Sequence, residues 1–263
     1  MRKETASWER EFRAVWQREQ RFLRRYETPP ERFLDKKVTE LAPEKLIGTL
    51  NAAFEKAVAL VLDKGSGVVL PPSRRQARRE AYQVHAYAAD LRETRKSLRA
   101  FSKEAGRSGW GNALLGGAAG VGMGLLGVAL PDVPLLTALL LKCVYETAES
   151  FGFPCETETE RIYALRVMET ALSDGEKLRK NNRELEQFDQ TGVWPEPISL
   201  EDQVRAAARQ LSEAALYGKA LQSVPVVGAV GGAGDWEYLR RVGRYAAIRY
   251  QKRFLVSRRI GKS

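Results

Sequence analysis

Apolar residues recur every three or four positions along most of the chain, which is the spacing that places them on one face of an α-helix. Nowhere do apolar and polar residues alternate over a sustained β-branched run, as they do in a half-buried strand. The pattern therefore predicts an all-α fold, a multi-helix globular bundle. The predicted helices cover residues 7–26, 43–64, 73–106, 133–144 and 157–190, a stretch that begins after 199, and 236–259.

Residues with strong preferences for helix ends support several of these boundaries. Ser73 is a good N-cap and Gly106 a good C-cap, so they predict one long helix between them. Ser199 precedes two acidic residues and predicts a capped helix start at that point. Residues 157–190 carry apolar positions on one side and charged positions on the other, which predicts an exposed amphipathic helix.

Two segments, 108–131 and 220–234, combine glycine with apolar residues and carry no charge. The prediction packs both as helices at the centre of the bundle, because small residues let a second helix approach closely. Burial in a soluble core, insertion into or onto a membrane and a transmembrane pass all stay open, and two copies of the chain could pair through such stripes. The glycines of the predicted packing or membrane segments are Gly116, Gly120, Gly124, Gly228 and Gly231.

Residues 122–127 match the pattern G-x-G-x-x-G, but the match does not predict nucleotide binding. That turn requires a strand before it and a helix after it, whereas glycine and alanine precede it here. His85 is the only histidine, and Cys143 and Cys155 do not have the spacing of metal ligands. The sequence therefore predicts no cofactor and no metal site.

Four charged residues beside apolar sequence form a candidate polar site: Asp132, Lys142, Glu146 and Asp235. A carboxylate with apolar walls has a raised pKa and can act as a base. Simpler interpretations are a helix cap for Asp132 and an ion pair between Lys142 and Glu146, which lie four residues apart. No catalytic residue is assigned, and a small hydrolase built on such a carboxylate stays as an alternative.

The chain is strongly basic, with 43 Lys and Arg against 33 Asp and Glu, a net charge of +10 and a pI near 9.7. Such an excess favours an anionic partner, either nucleic acid or a membrane surface. No nucleic-acid-binding fold is recognisable, and glycine-rich apolar helices have no evident use in one, so a membrane is favoured over nucleic acid. The predicted basic surface comprises Arg74, Arg75, Arg78, Arg79, Arg240, Arg241 and Arg244.

Residues 1–30 are predicted to form a basic, aromatic N-terminal helix, followed by a single all-helical domain over 31–263. Trp8 and Trp16 lie among many arginines, the composition of a helix that binds at a membrane interface. The alternative is an ordinary amphipathic helix that packs its aromatic side chains on the body of the protein.

Several motifs follow one another in a recognisable order: Leu130-Pro131-Asp132-Val133-Pro134-Leu135-Leu136, an apolar helix up to Glu146, Phe151-Gly152-Phe153, Val224-Pro225-Val226-Val227-Gly228-Ala229 and Tyr245-Ala246-Ala247-Ile248-Arg249-Tyr250. This order resembles the EcsC-like family of bacterial proteins, named for a gene that lies beside those of an ABC transporter. The resemblance covers residues 45–255 and leaves out the N-terminal helix. It implies a helical, intracellular domain with a link to membrane transport and no established reaction.

These observations predict a non-catalytic, membrane-associated protein that binds an anionic lipid surface or a membrane protein. A soluble protein-interaction module is the first alternative. The N-terminal residues lack the apolar stretch of a signal peptide, and two cysteines suit a reducing compartment. The expected location is the cytoplasm, at the inner face of the cell membrane.

Overall fold

A computed structural model describes residues 2–28, 44–63, 72–107, 133–222 and 233–260. Within these ranges the chain forms nine helices and no strand, which confirms the predicted all-α fold. The helices are α1 (Arg2–Arg25), α2 (Glu44–Asp63), α3 (Pro72–Leu91), α4 (Arg95–Arg107), α5 (Val133–Ser150), α6 (Glu158–Leu172), α7 (Gly175–Thr191), α8 (Leu200–Gln222) and α9 (Ala233–Ile260).

Helices α5, α6 and α9 form the centre of the bundle and pack against one another. Leu140, Tyr163 and Tyr245, one from each of these helices, are fully buried. α2 and α8 cover one side of α5 and α6, while α1, α3 and α4 lie around α5 and α9. The apolar stripes of the outer helices therefore converge on a single core, as expected for amphipathic helices.

The prediction of one exposed amphipathic helix over 157–190 is wrong. The chain forms α6 and α7 in this region, and ten of the fifteen residues of α6 are buried. Ser173 ends α6 in extended backbone, and its amide donates a hydrogen bond to the carbonyl of Thr170. A glutamate at position 169 indicates an exposed residue, but Glu169 is buried. Arg166 balances its charge inside the bundle at 3.0 Å, and Gln203 donates a hydrogen bond to its carboxylate at 2.9 Å.

The single helix predicted from Ser73 to Gly106 is also wrong, because residues 92–94 are not helical and divide it into α3 and α4. The Ser97 amide donates to Thr94 Oγ1 at 3.1 Å, and the Thr94 amide donates to Ser97 Oγ at 3.0 Å. This reciprocal pair is a capping box that starts a new helix at α4. Gly106 lies inside α4 and does not end it. The break folds α4 back beside α3, where the rings of His85 and Phe101 meet at 5.7 Å.

Gly152 fixes how closely α3 approaches the end of α5. Its φ is +82°, in the region that favours glycine, and an added Cβ would lie 2.4 Å from Cζ of Tyr82. The ring of Tyr82 also contacts Phe101 of α4, with 5.6 Å between the centroids. The α3–α4 hairpin is thereby seated on the body of the bundle.

Helix α1 packs on α9 and α4. Trp8 Nε1 donates to the carbonyl of Leu255 at 2.9 Å, and the Phe22 ring lies 4.9 Å from that of Tyr245. Val15 is fully buried, whereas Trp16 is 47% exposed. α1 therefore packs as an ordinary amphipathic helix, with Trp16 on its outer side.

The two glycine-rich segments lie mostly outside the described residues, so their central packing stays a prediction. Asp132 is also outside these residues, and Asp235 lies in the first turn of α9, where only the backbone is described. None of the described helices is long and apolar enough to cross a lipid bilayer. The predicted glycines that lie outside the described residues are Gly116, Gly120, Gly124, Gly228 and Gly231.

Candidate anion-binding groove

A groove of about 980 Å³ lies between α1 and α4, with His85 of α3 at its wall. This volume is at the upper end of the range of about 300–1,000 Å³ that small-molecule sites occupy. Positive side chains dominate the lining, with six cations against two carboxylates. The cations are Arg18, Arg21, Arg95, Lys96, Arg99 and Lys103, and the carboxylates are Glu11 and Glu104.

The sequence of α4 explains why its cations face the groove. Leu98, Phe101 and Ala105 follow helical spacing and are buried against the bundle. Arg99 and Lys103, which are exposed, lie four residues apart on the other side of the same helix. The short helix therefore divides into an apolar face that docks it and a basic face that remains accessible.

A buried carboxylate, that of Glu11, organises the floor of the groove. Its Oε2 accepts hydrogen bonds from Nε of Arg99 at 3.0 Å and Nε of Arg95 at 3.3 Å. Its Oε1 accepts from Nε2 of Gln251 at 3.0 Å, and Gln251 Oε1 in turn accepts from Arg18 at 2.5 Å. Arg95 and Arg99 are thus both held by Nε, and their terminal nitrogens make no hydrogen bond to any residue that the structure describes.

Burial is the main reason that the pKa of Arg18 is lowered. The Glu11 carboxylate opposes this shift, while Arg99 and Arg21 add smaller contributions that lower the pKa further. An anion in the groove would offset the repulsion from Arg99 and Arg21. Ser102 also lines the groove, and its Oγ is buried and has no hydrogen-bond partner in the described part of the chain.

These features suit the binding of a multivalent anion. Arginine binds phosphate and carboxylate oxygens through its planar, forked donors, and two arginines on α4 present those donors on one helix face. Among the residues described, no group of three or more His, Cys, Asp or Glu side chains is placed to hold a metal ion. The groove is a candidate binding site.

The arginines predicted as a basic surface at the start of α3 are largely neutralised by carboxylates. Arg78 Nη2 lies 3.4 Å from Glu146, and its Nη1 donates to Ser150 Oγ at 2.8 Å. Four arginines share three carboxylates where α3 contacts the end of α5 and the loop that follows it. The ion pairs join Arg74 and Arg78 to Glu146, and Arg75 and Arg79 to both Glu149 and Glu156.

Arg241 is a correction to the predicted basic surface, because only 8% of it is exposed. It donates to the Ser173 carbonyl at 2.5 Å and to Asp174 at 2.9 Å, and its guanidinium lies 3.7 Å from the Tyr26 ring centroid. Arg241 thus joins α9 to the α6–α7 junction and to the end of α1. Its neighbours Arg240 and Arg244 are half-buried and exposed, respectively.

Further along α9, cations and carboxylates form a buried network. Arg249 donates to Glu19 at 2.7 Å and also to Asp189, and Lys252 donates to Glu19 at 2.6 Å and Glu186 at 2.8 Å. Burial tends to raise the pKa of Glu19, but Arg249 and Lys252 outweigh it and hold that pKa below its ordinary value. For Asp189, burial prevails and raises the pKa despite Arg249. The network joins α9 to α1 and α7.

The predicted pair between Lys142 and Glu146 is wrong, because the Glu146 carboxylate lies against Arg78 and Arg74 from α3. Lys142 is half-buried on α5. Asp132 and the side chain of Asp235 lie outside the described part of the structure, so whether the four residues of the candidate polar site lie close together is not tested. The grouping of these residues stays a prediction.

Sequence reasoning missed the groove, although part of its signal was visible. Arg18 and Arg21 belong to the predicted basic N-terminal helix, but nothing in the sequence links them to Arg99 and Lys103. Prediction of the helix break at Thr94 would have identified α4 as a separate, short, basic amphipathic helix. The contact between α1 and α4 is tertiary and has no local signature.

Fold and groove together define an all-helical protein with a basic site suited to an anion. The chain belongs to the EcsC protein family, whose model matches residues 1–255. The resemblance found in the sequence is thereby confirmed. Its extent is corrected, however, because the match begins at residue 1 and includes the N-terminal helix that the resemblance left out.

Two proteins of Bacillus subtilis (strain 168) are similar to this chain over most of its length. Protein EcsC is 24% identical over 257 residues, which are 96% of this chain and 94% of that protein. Uncharacterized protein YdbA is 22% identical over 259 residues, 97% of this chain and 92% of that protein. No solved structure shows a significant match.

Proposed function

We propose that this protein is a non-catalytic, peripheral membrane protein that binds an anionic lipid surface at the inner face of the cell membrane. The groove between α1 and α4 supports this proposal most strongly, because six cations line it against two carboxylates. Each Lys or Arg near an anionic membrane contributes about 1 kcal/mol of binding free energy. A cluster of this size therefore suffices for reversible attachment.

Exposed apolar side chains on α3 supply a second contribution to membrane binding. Val84, Tyr87 and Leu91 follow helical spacing and are 65%, 67% and 68% exposed. They lie on the same helix as His85, which lines the groove. Apolar and aromatic side chains that enter the headgroup layer beside cations are typical of proteins that bind at a membrane interface.

Co-sedimentation with vesicles tests the proposal. The wild-type protein is expected to bind vesicles that contain phosphatidylglycerol, to lose affinity as salt is added, and to leave neutral phosphatidylcholine vesicles unbound. Replacing two groove cations, Lys96→Glu with Lys103→Glu, should weaken binding about 30-fold or more, since each cation contributes about 1 kcal/mol.

The matched control changes the same net charge outside the groove, through Arg209→Glu with Arg244→Glu. Both arginines are exposed and neither lines the groove. The control should retain most of the affinity. Equal binding to neutral and anionic vesicles, or equal loss in both double variants, would contradict the proposal. Binding to a membrane protein without any binding to lipid would favour an interaction module.

A further inference from the structure

We propose that the groove is a discrete site for a phosphomonoester group, held by Arg95, Arg99, Lys103 and the hydroxyl of Ser102. This inference rests on the proposed function and deepens it, because it names the anion. Diffuse attraction to a charged membrane needs only exposed cations. A discrete site also needs donors that are fixed in place and unsatisfied without the ligand.

Arg95 and Arg99 are fixed in this way. Glu11 holds the Nε of Arg99 at 3.0 Å and the Nε of Arg95 at 3.3 Å, and Glu11 itself is 2% exposed. The side chains of Arg95 and Arg99 remain 46% and 53% exposed. Residues four apart on a helix lie about 6 Å apart along its axis, so both sets of terminal nitrogens reach one anion.

Ser102 provides the second, independent observation. Hydroxyl groups in the helices of this protein regularly donate to the carbonyl four residues earlier, as Thr147, Ser150 and Ser212 do at 2.8–3.0 Å. Ser102 lines the groove, and its Oγ is buried and makes no such bond within the described residues. A buried hydroxyl without a partner is costly, and a ligand oxygen would satisfy it.

The balance of charge favours a phosphomonoester over a phosphodiester. A phosphomonoester carries about −1.5 to −2 charges at pH 7 and has three terminal acceptor oxygens. A phosphodiester has one charge and two such oxygens. Six cations against two carboxylates, one of them already shared by Arg95 and Arg99, leave an excess that a dianion balances better.

The size of the groove indicates that the phosphate is attached to an organic group. About 980 Å³ is far more than a phosphate fills, and Ala14 and Ala100 add apolar wall beside the cations. Two sources present the same chemistry, a lipid with a phosphomonoester headgroup and a soluble phosphate ester. The experiment therefore has one arm for each source.

In the lipid arm, binding is compared between phosphatidylcholine vesicles containing phosphatidic acid and others containing phosphatidylglycerol, matched in measured surface charge. The wild-type protein should bind the phosphatidic acid vesicles about tenfold more tightly. Ser102→Ala should reduce this preference about threefold and Arg99→Gln about tenfold. Arg244→Gln, a variant of an exposed arginine outside the groove, should retain it.

In the soluble arm, glycerol 3-phosphate is titrated into the same proteins by calorimetry. Saturable binding that Arg99→Gln abolishes, without any lipid preference, would support the phosphomonoester site and assign it to a soluble ester. Circular dichroism confirms folding of each variant, and Ser102→Ala should fold because its hydroxyl makes no internal bond.

Equal binding to both vesicle types, together with no binding of glycerol 3-phosphate, would overturn the inference. The proposed function would survive that result as attraction to a charged surface. A protein that bound no vesicles would instead remove the proposed function.

Discussion

Helices α9 and α4 are both rich in cations, but they differ in what balances those cations. On α9, Arg249 and Lys252 are 0% and 3% exposed, and each contacts two carboxylates. On α4, Arg95 and Arg99 are about half exposed and share the single carboxylate of Glu11. The first group holds the bundle together, and the second group remains available to a ligand.

The difference follows from the cost of burying charge. A cation removed from water loses several kcal/mol of hydration, so a buried one is retained only where carboxylates surround it. A cation at the wall of an open groove keeps part of its hydration and needs no such partner. Net charge in the sequence therefore does not indicate which cations are free to bind an anion.

The largest effect is expected from removing the centre of the α9 network. Arg249→Met leaves Glu19 and Asp189 as buried carboxylates that have lost a shared cation. Breaking a buried ion pair from one side costs about 3–5 kcal/mol of the free energy of unfolding. Urea denaturation measures this loss. Arg244→Met, at an exposed position of the same helix, should change stability by less than about 0.5 kcal/mol.

Arg249→Met also distinguishes the α9 cations from the α4 cations, because the groove beside α4 should remain intact. Below its unfolding transition, Arg249→Met should bind anionic vesicles as the wild type does. A loss of under about 1 kcal/mol in stability would show that the network does not hold the bundle together.

A smaller, pH-dependent effect is expected from Glu19→Gln. At pH 7 the variant should be less stable by about 2 kcal/mol, because the hydrogen bonds that Arg249 and Lys252 donate would meet a neutral amide in place of a carboxylate. The pKa of Glu19 is lowered in the folded protein, so its contribution is present above the ordinary glutamate pKa of about 4.3 and is lost as pH falls through the folded value. The gap between the two proteins should therefore narrow below about pH 4.

Asp189 acts with the opposite sign, because burial raises its pKa and protonation favours the folded state. It is present in both proteins, so its contribution largely cancels in the difference. The measurement is the free energy of unfolding of wild type and variant between pH 7 and pH 3. A gap that stayed constant over this range would contradict the role given to Glu19.

Local sequence signals predicted much of the helical framework. Apolar spacing placed the second helix at 43–64, close to the observed Glu44–Asp63, and Ser199 accepts a hydrogen bond from the Asp202 amide at 3.0 Å as its N-cap assignment predicted. The breaks at Thr94 and Ser173 were not predicted. Periodicity continues across both of them, and each depends on one or two hydrogen bonds of the cap.

The candidate site could not be predicted in the same way, because its parts are distant in the chain. Glu11 lies 84 residues before Arg95 and 240 before Gln251, and only the fold brings them together. For the same reason the sequence predicts Arg78 to be a surface charge, since its partner Glu146 follows 68 residues later. Composition predicted that positive charge matters, and tertiary contacts decide where it is accessible.

We propose that the cations that bind an anionic surface are those that line the groove between α1 and α4. Chemical acetylation of lysines, measured by mass spectrometry with and without anionic vesicles, tests it most directly. Lys96 and Lys103 line the groove and are exposed, while Lys56 and Lys180 are exposed elsewhere. We expect vesicles to slow the acetylation of Lys96 and Lys103 and to leave the acetylation rates of Lys56 and Lys180 unchanged. Protection at Lys56 or Lys180 without protection at Lys103 would contradict it.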